Sequence, residues 1–203
     1  MNRLILAATV TSAFLSSSAL SQESNVDNVN LDRLSLSYNS YNDSEGDTAS
    51  GGQLSVTTAL GRNENWVIGV STRGISYDDF DASGTDQKFS VGYAFYGNNS
   101  ASIITAGIGN VDVTACYSGY CASGDESYTF TNLTYIQSIS ENVEYNLNLT
   151  LENYSDDSSD STTFVTLGAG AAFYFNESFS LIGSVSSDDD SNTSVSFGLN
   201  YSF

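Results

Sequence analysis

The chain has no histidine, no proline and only five basic residues against 24 acidic ones, for a formal net charge of −19. Each shortage removes something. A serine nucleophile needs an adjacent base, and histidine, its usual one, is missing. Acid pairs act without histidine, but nothing marks a pair here, so neither catalysis nor a cofactor is expected. Nucleic-acid binding needs basic surface to neutralise phosphates, and so acidic a chain excludes it. Missing proline suits a chain made of sheet ladders, where proline would remove a donor. The apolar content of 40% is too high for a disordered acidic chain. After Gln22 no apolar run approaches the length of a transmembrane helix.

The N-terminus has the pattern of a cleaved signal peptide. Arg3 supplies a positive start, Leu4 to Leu15 a short apolar stretch, and Ala19-Leu20-Ser21 small residues before a cut at Gln22. The expected division is residues 1–21 as signal peptide and 22–203 as one domain. No cysteine sits at the cut, so a lipid anchor is not expected.

What the sequence has in abundance is alternation. From Thr193 to Phe203, Val195, Phe197, Leu199, Tyr201 and Phe203 alternate with Ser194, Ser196, Gly198, Asn200 and Ser202. A strand sends alternate side chains to opposite faces. A last strand leaves an open sheet edge unless it pairs with the first, and closure into a barrel is the simplest solution. Further strands are expected at about 31–41, 52–60, 66–77, 87–96, 101–113, 127–138, 143–152, 163–175 and 179–186. Residues 23–30 read as a polar lead-in. In the fifth strand Ile103 and Ile104 are adjacent and the phase slips before Val111 and Val113, which suggests a β-bulge. The sixth has an ambiguous phase. The connections alternate between short turns and longer polar loops. Ten strands are expected, with eight as the rival count.

The small polar residues opposite the apolar face make a poor soluble surface but suit a barrel lumen. Aromatics fall near strand ends: Trp66, Phe95, Tyr96, Phe173, Phe175, Phe179, Tyr201 and Phe203 toward the turns, and Tyr38, Tyr77, Phe89, Tyr154 and Phe164 toward the loops. Aromatic girdles at both interfaces are a mark of membrane barrels.

The terminal Phe203 with alternating Tyr201 before it, the strand count and the turn–loop asymmetry resemble the small outer-membrane β-barrels of Gram-negative bacteria, the porin-like and OmpA/OmpX-like superfamily. The resemblance implies an all-β, transmembrane, antiparallel up-and-down barrel in the outer membrane, in contact with lipid and lipopolysaccharide. Phe203 and Tyr201 would be its signal to the barrel-assembly machinery. No periplasmic peptidoglycan-binding domain is expected, a departure from the two-domain members that removes a cell-wall tether role. The enzymes among such barrels, namely omptin proteases, phospholipase A, palmitoyl transferase and lipid A deacylases, rely on a histidine, so no enzyme is expected.

Four features carry candidate roles. Arg73, Lys88, Glu144 and Glu152 fall on the lumen face, as ion pairs that hold register or as a charged constriction. Cys116 and Cys121 are spaced for a disulfide in an exported chain, a loop staple that could present Tyr117 and Tyr120 to a partner. Acidic residues crowd the loops: Asp43, Glu45, Asp47, Asp78, Asp79, Asp81, Asp86, Asp125, Glu126, Asp156, Asp157, Asp160 and Asp188 to Asp190. Carboxylates are ligands for Ca²⁺ or Mg²⁺, with Asp188, Asp189 and Asp190 as the weak divalent-ion candidates. No spacing matches a known calcium loop. The expected function is a narrow passive pore or a structural membrane component; the alternative is surface recognition through the acidic loops.

Overall fold

The computed structural model describes residues 19–20, 29–60, 64–77, 81–117, 120–155 and 161–203. Ten strands form one closed antiparallel barrel: β1 (Arg33–Asn42), β2 (Thr48–Leu60), β3 (Trp66–Tyr77), β4 (Ala82–Gly97), β5 (Ser100–Tyr117), β6 (Tyr120–Ser140), β7 (Val143–Ser155), β8 (Ser161–Tyr174), β9 (Phe179–Asp188) and β10 (Thr193–Ser202). Each pairs with its sequence neighbour. β10 then closes the barrel on β1, from Thr193 opposite Asn42 to Ser202 opposite Arg33. The rival count of eight is thereby set aside. The signal-peptide reading lies outside the described residues, apart from Ala19–Leu20, which pairs with Val29–Asn30.

The alternation places the faces. Leu36, Ile108 and Leu167 point outward and are 60%, 62% and 63% exposed, whereas Asn146 and Thr150 point into the bore at 1% and 0%. Apolar outside and polar inside is the inverse of a soluble core. It is the arrangement of a barrel built to sit in lipid, where closure also leaves no unpaired edge in the apolar layer.

Three expectations need correction. β5 has no bulge: it pairs in unbroken register with β4 from Ser100 to Ala115 and with β6 from Ser100 to Tyr117. Ile103, Val111 and Val113 face inward while Ile104 and Ile108 face out, so adjacent isoleucines reflect apolar residues on both faces. The register shift lies between β6 and β7, at Ser138/Ser140. Second, residues 114–117 and 120–126 are strand rather than loop. β5 and β6 continue as a paired ribbon up to Tyr117 opposite Tyr120. Third, the loop-end aromatics form an outer girdle only in part: Tyr38 and Phe89 are exposed on the outer wall. Tyr154 and Phe164 are buried and point inward, because each sits at an even offset from lumen residues of its strand, Glu152 and Thr166. The turn-end aromatics do form a belt: Trp66, Phe95, Phe173, Phe179, Tyr201 and Phe203 are exposed on the outer wall, with Trp66 edge-on to Tyr93 at 5.5 Å.

Candidate functional site

The bore is the first place to look for function, and side chains cross it at both ends. At the turn end, the segment before β1 folds inward. Val29 and Leu31, 3% and 2% exposed, pack on Val67, Ala94, Ala101, Ile103 and Ile136 of β3 to β6. Asp32 pins this segment: its Oδ1 accepts the Thr58 hydroxyl at 2.7 Å and the Ala59 N–H at 2.8 Å. Residues 29–31 are thus an apolar plug rather than a polar lead-in. The signal was the inward-facing apolar ring of Val67, Ala94, Ile103 and Ile136, which needs a cover that a hydrated lumen cannot supply.

Just above the plug, Arg33 of β1 reaches across to Glu144 of β7 at 3.8 Å. The Tyr174 hydroxyl donates to Glu144 at 3.3 Å and accepts from Arg33 at 3.4 Å. The middle layer is small and polar. Asn132 Nδ2 donates to Thr150 at 2.7 Å, Thr134 to Asn132 at 2.6 Å, and the Ser184 and Ser196 hydroxyls lie 2.6 Å apart.

Toward the loop end lies a four-charge chain. Arg73 of β3 meets Asp86 of β4 at 2.7 Å, Lys88 lies 3.8 Å from the same carboxylate oxygen, and Lys88 reaches Glu152 of β7 at 2.6 Å. Tyrosines complete it. Tyr128 donates to Asp86 at 2.7 Å, Tyr154 donates to Glu152 at 3.2 Å, and Arg73 donates to the Tyr41 oxygen at 3.0 Å. The Lys88 ammonium also lies 5.0 Å and 5.4 Å from the ring centres of Tyr128 and Phe130, within cation–π range. Gly109 and Gly107 make room: a Cβ on either would fall into the Tyr128 or Phe130 ring.

Arg73, Lys88, Glu144 and Glu152 therefore all point into the bore, the first two and Glu152 in one cluster, Glu144 in another with Arg33. Sequence reading missed Arg33, although its neighbour Leu34 faces out and parity turns Arg33 in. Asp86 was read as a loop acid; it lies in β4 as the centre of the charge chain. Every basic side chain among the described residues is in these two clusters; Arg3 and Arg62 lie outside the described residues.

The outer rim carries the acids. Asp188 caps its own turn, accepting from the Asp190 and Asn192 N–H groups at 3.1 and 2.9 Å and from Asn192 Nδ2 at 2.8 Å. Asp189 accepts from Val165 N–H at 3.2 Å. Asp43 likewise holds the N–H groups of Glu45 and Asp47 at 2.9 and 2.8 Å. Among the described residues no three acidic, histidine or cysteine side chains are grouped to hold a metal. Asp78, Asp79, Asp156, Asp157 and Asp160 lie outside the described residues. The most prominent feature of this end is the β5–β6 ribbon. Cys116 and Cys121 are directly opposed and disulfide-bonded, and Tyr117 and Tyr120 are each 85% exposed.

No family model matches the chain, and no curated protein sequence matches it either. Among solved structures it is similar to the KdgM porin in complex with disordered oligogalacturonate (8% identity, 84% of this chain and 99% of that one, TM-score 0.46). It is also similar to the NanC porin (11%, 84% and 100%, 0.46) and to the outer membrane protease OmpT from Escherichia coli (9%, 85% and 94%, 0.46). What the barrel does has to come from its own residues.

Proposed function

We propose that this chain is a closed outer-membrane barrel, a structural anchor that holds an acidic, disulfide-stapled ribbon above the membrane surface for recognition. The observation that carries it is the set of bonds crossing the bore. Lys88–Glu152 joins β4 to β7 and Arg33–Glu144 joins β1 to β7. Neither pair of strands is adjacent, so each bond runs through the lumen. With the plug below and the aromatic layer above, the barrel is tied shut, and the working surface moves to the rim. The turn end faces the periplasm and the loop end faces outward, as short turns and long outer ribbons require. No residue is given a catalytic role.

A second reading, the narrow passive pore, is favoured by one observation. The wall from β8 to β2 is lined by small residues, and Gly168, Gly170, Gly198 and Ser55 are only half-buried, which leaves room for a thin file of water.

Trp66 is the only tryptophan and sits in the turn-end belt, so it tests the membrane reading. In reconstituted vesicles its emission should be blue-shifted and quenched by lipids brominated near the headgroup. A protease site inserted between Tyr117 and Tyr120 should be cut on intact cells. Unquenched Trp66, or a ribbon protected until cells are lysed, would defeat the proposal.

A further inference from the structure

Among the described residues the ribbon ends in an open strand edge. β6 pairs with β5 along its whole upper length, but its pairing with β7 begins only at Tyr128. Among the described residues, Tyr120 to Asp125 therefore pair on one side alone. Which groups face the open side follows from the disulfide pair. The Cys116 and Cys121 Cα atoms are 4.0 Å apart, the close spacing of a non-hydrogen-bonded antiparallel pair. The Cys116 N–H accordingly turns away from β6 and donates to the Asp81 carbonyl at 2.7 Å. By the same alternation the N–H and C=O groups of Cys121, Ser123 and Asp125 point away from β5, to the open edge. All three residues are exposed.

We propose that this edge of β6 is a docking site for an extended, basic segment of another protein, which adds to the sheet as a further strand. Backbone groups at Cys121, Ser123 and Asp125 supply the pairing. Charge selects the partner. Asp112 and Asp125 lie directly opposite one another on the outer face of the ribbon, and like charges so placed are destabilising until a cation joins them. Glu126 adds a carboxylate on the other face, and exposed Tyr120 offers a ring to a Lys or Arg. No basic side chain among the described residues is outside the bore, so none competes. A second copy of the same acidic edge would be repelled.

The site rests on the ribbon standing outside the membrane, but the two fail separately. The test uses the refolded full barrel in nanodiscs with a fluorescent synthetic peptide alternating lysine and valine, and an alternating glutamate–valine peptide as control. Anisotropy should report binding of the lysine peptide alone, weakening as salt rises. Hydrogen exchange should slow at Cys121, Ser123 and Asp125. Ser123→Pro removes an edge donor without removing a bond to β5 and should weaken binding at least about tenfold. Asp125→Lys should do the same while the heat-modifiable gel shift of the barrel is unchanged. Binding of both peptides alike, or full binding by Ser123→Pro, would overturn the proposal. Self-association without peptide, abolished by Ser123→Pro, would overturn the basic partner in favour of a second copy. Trp66 quenching checks the membrane reading independently in the same sample.

Discussion

Lys88 serves two carboxylates, Asp86 and Glu152, at under 5% exposure. A buried charge that loses its partner is worse off than no charge at all. Glu152→Leu should therefore cost about 3–5 kcal/mol of barrel stability, measured as the denaturant midpoint of the folded, fast-migrating gel band. The Lys88→Met/Glu152→Leu double variant should recover part of that loss; a double variant worse than the sum of the singles would contradict the pairing. Glycine gives a second residue-level test. Gly109→Val drives a Cβ into the Tyr128 ring and forces Tyr128 off Asp86, whereas Gly124→Val meets nothing within 4 Å. The first should lower the unfolding midpoint and the second leave it unchanged. Much at this scale was legible from parity. Lys88, Glu144 and Glu152 alternate with outward Phe89, Val143 and Leu151. Parity was also the signal for Arg33, which the sequence reading missed, and for Tyr154 and Phe164, where reading by nearness to a strand end went astray. Which charges would meet was not legible, because Lys88 and Glu152 lie on non-neighbouring strands and only the barrel's curvature brings them together.

The elements divide into those in the closed ladder and those hung from it. The Cys116–Cys121 staple belongs to the ribbon above the ladder. Reduction should leave the unfolding midpoint of the barrel unchanged but speed hydrogen exchange of amides near the ribbon tip; a large drop in the midpoint would place the staple in the core instead. The plug is different. Leu31 is enclosed by β3 to β6, and Leu31→Ala should cost about 2–5 kcal/mol without making the barrel conduct, because the Lys88–Glu152 layer still closes the other end. The last strand carries its own prediction. Tyr201 and Phe203 lie on the outer wall, with ring centres 6.4 Å apart. As the proposed assembly signal, Phe203→Ser should lower the amount of barrel recovered in outer-membrane fractions while protein refolded in detergent keeps its stability. The alternation of β7 and β10 was plain in sequence because one face is apolar throughout. β5 and β6 were harder, since inward Ile103, Val111, Tyr128 and Phe130 put apolar residues on both faces and blur a period of two.

At the scale of the whole molecule, charge is sorted by location. The described cations neutralise carboxylates in the bore, and the outer end keeps its acids. On the proposed reading that sorting leaves a tied-shut anchor with an acidic outer surface, and the question of function becomes whether ions pass. The most direct test is single-channel recording of refolded protein in a planar bilayer, with insertion verified by Trp66 quenching on the same preparation. Wild-type barrel is predicted to be silent across a salt gradient. Discrete conductance steps with cation preference, shifted by Glu152→Gln or Arg73→Gln, would contradict the closed bore and favour the narrow pore.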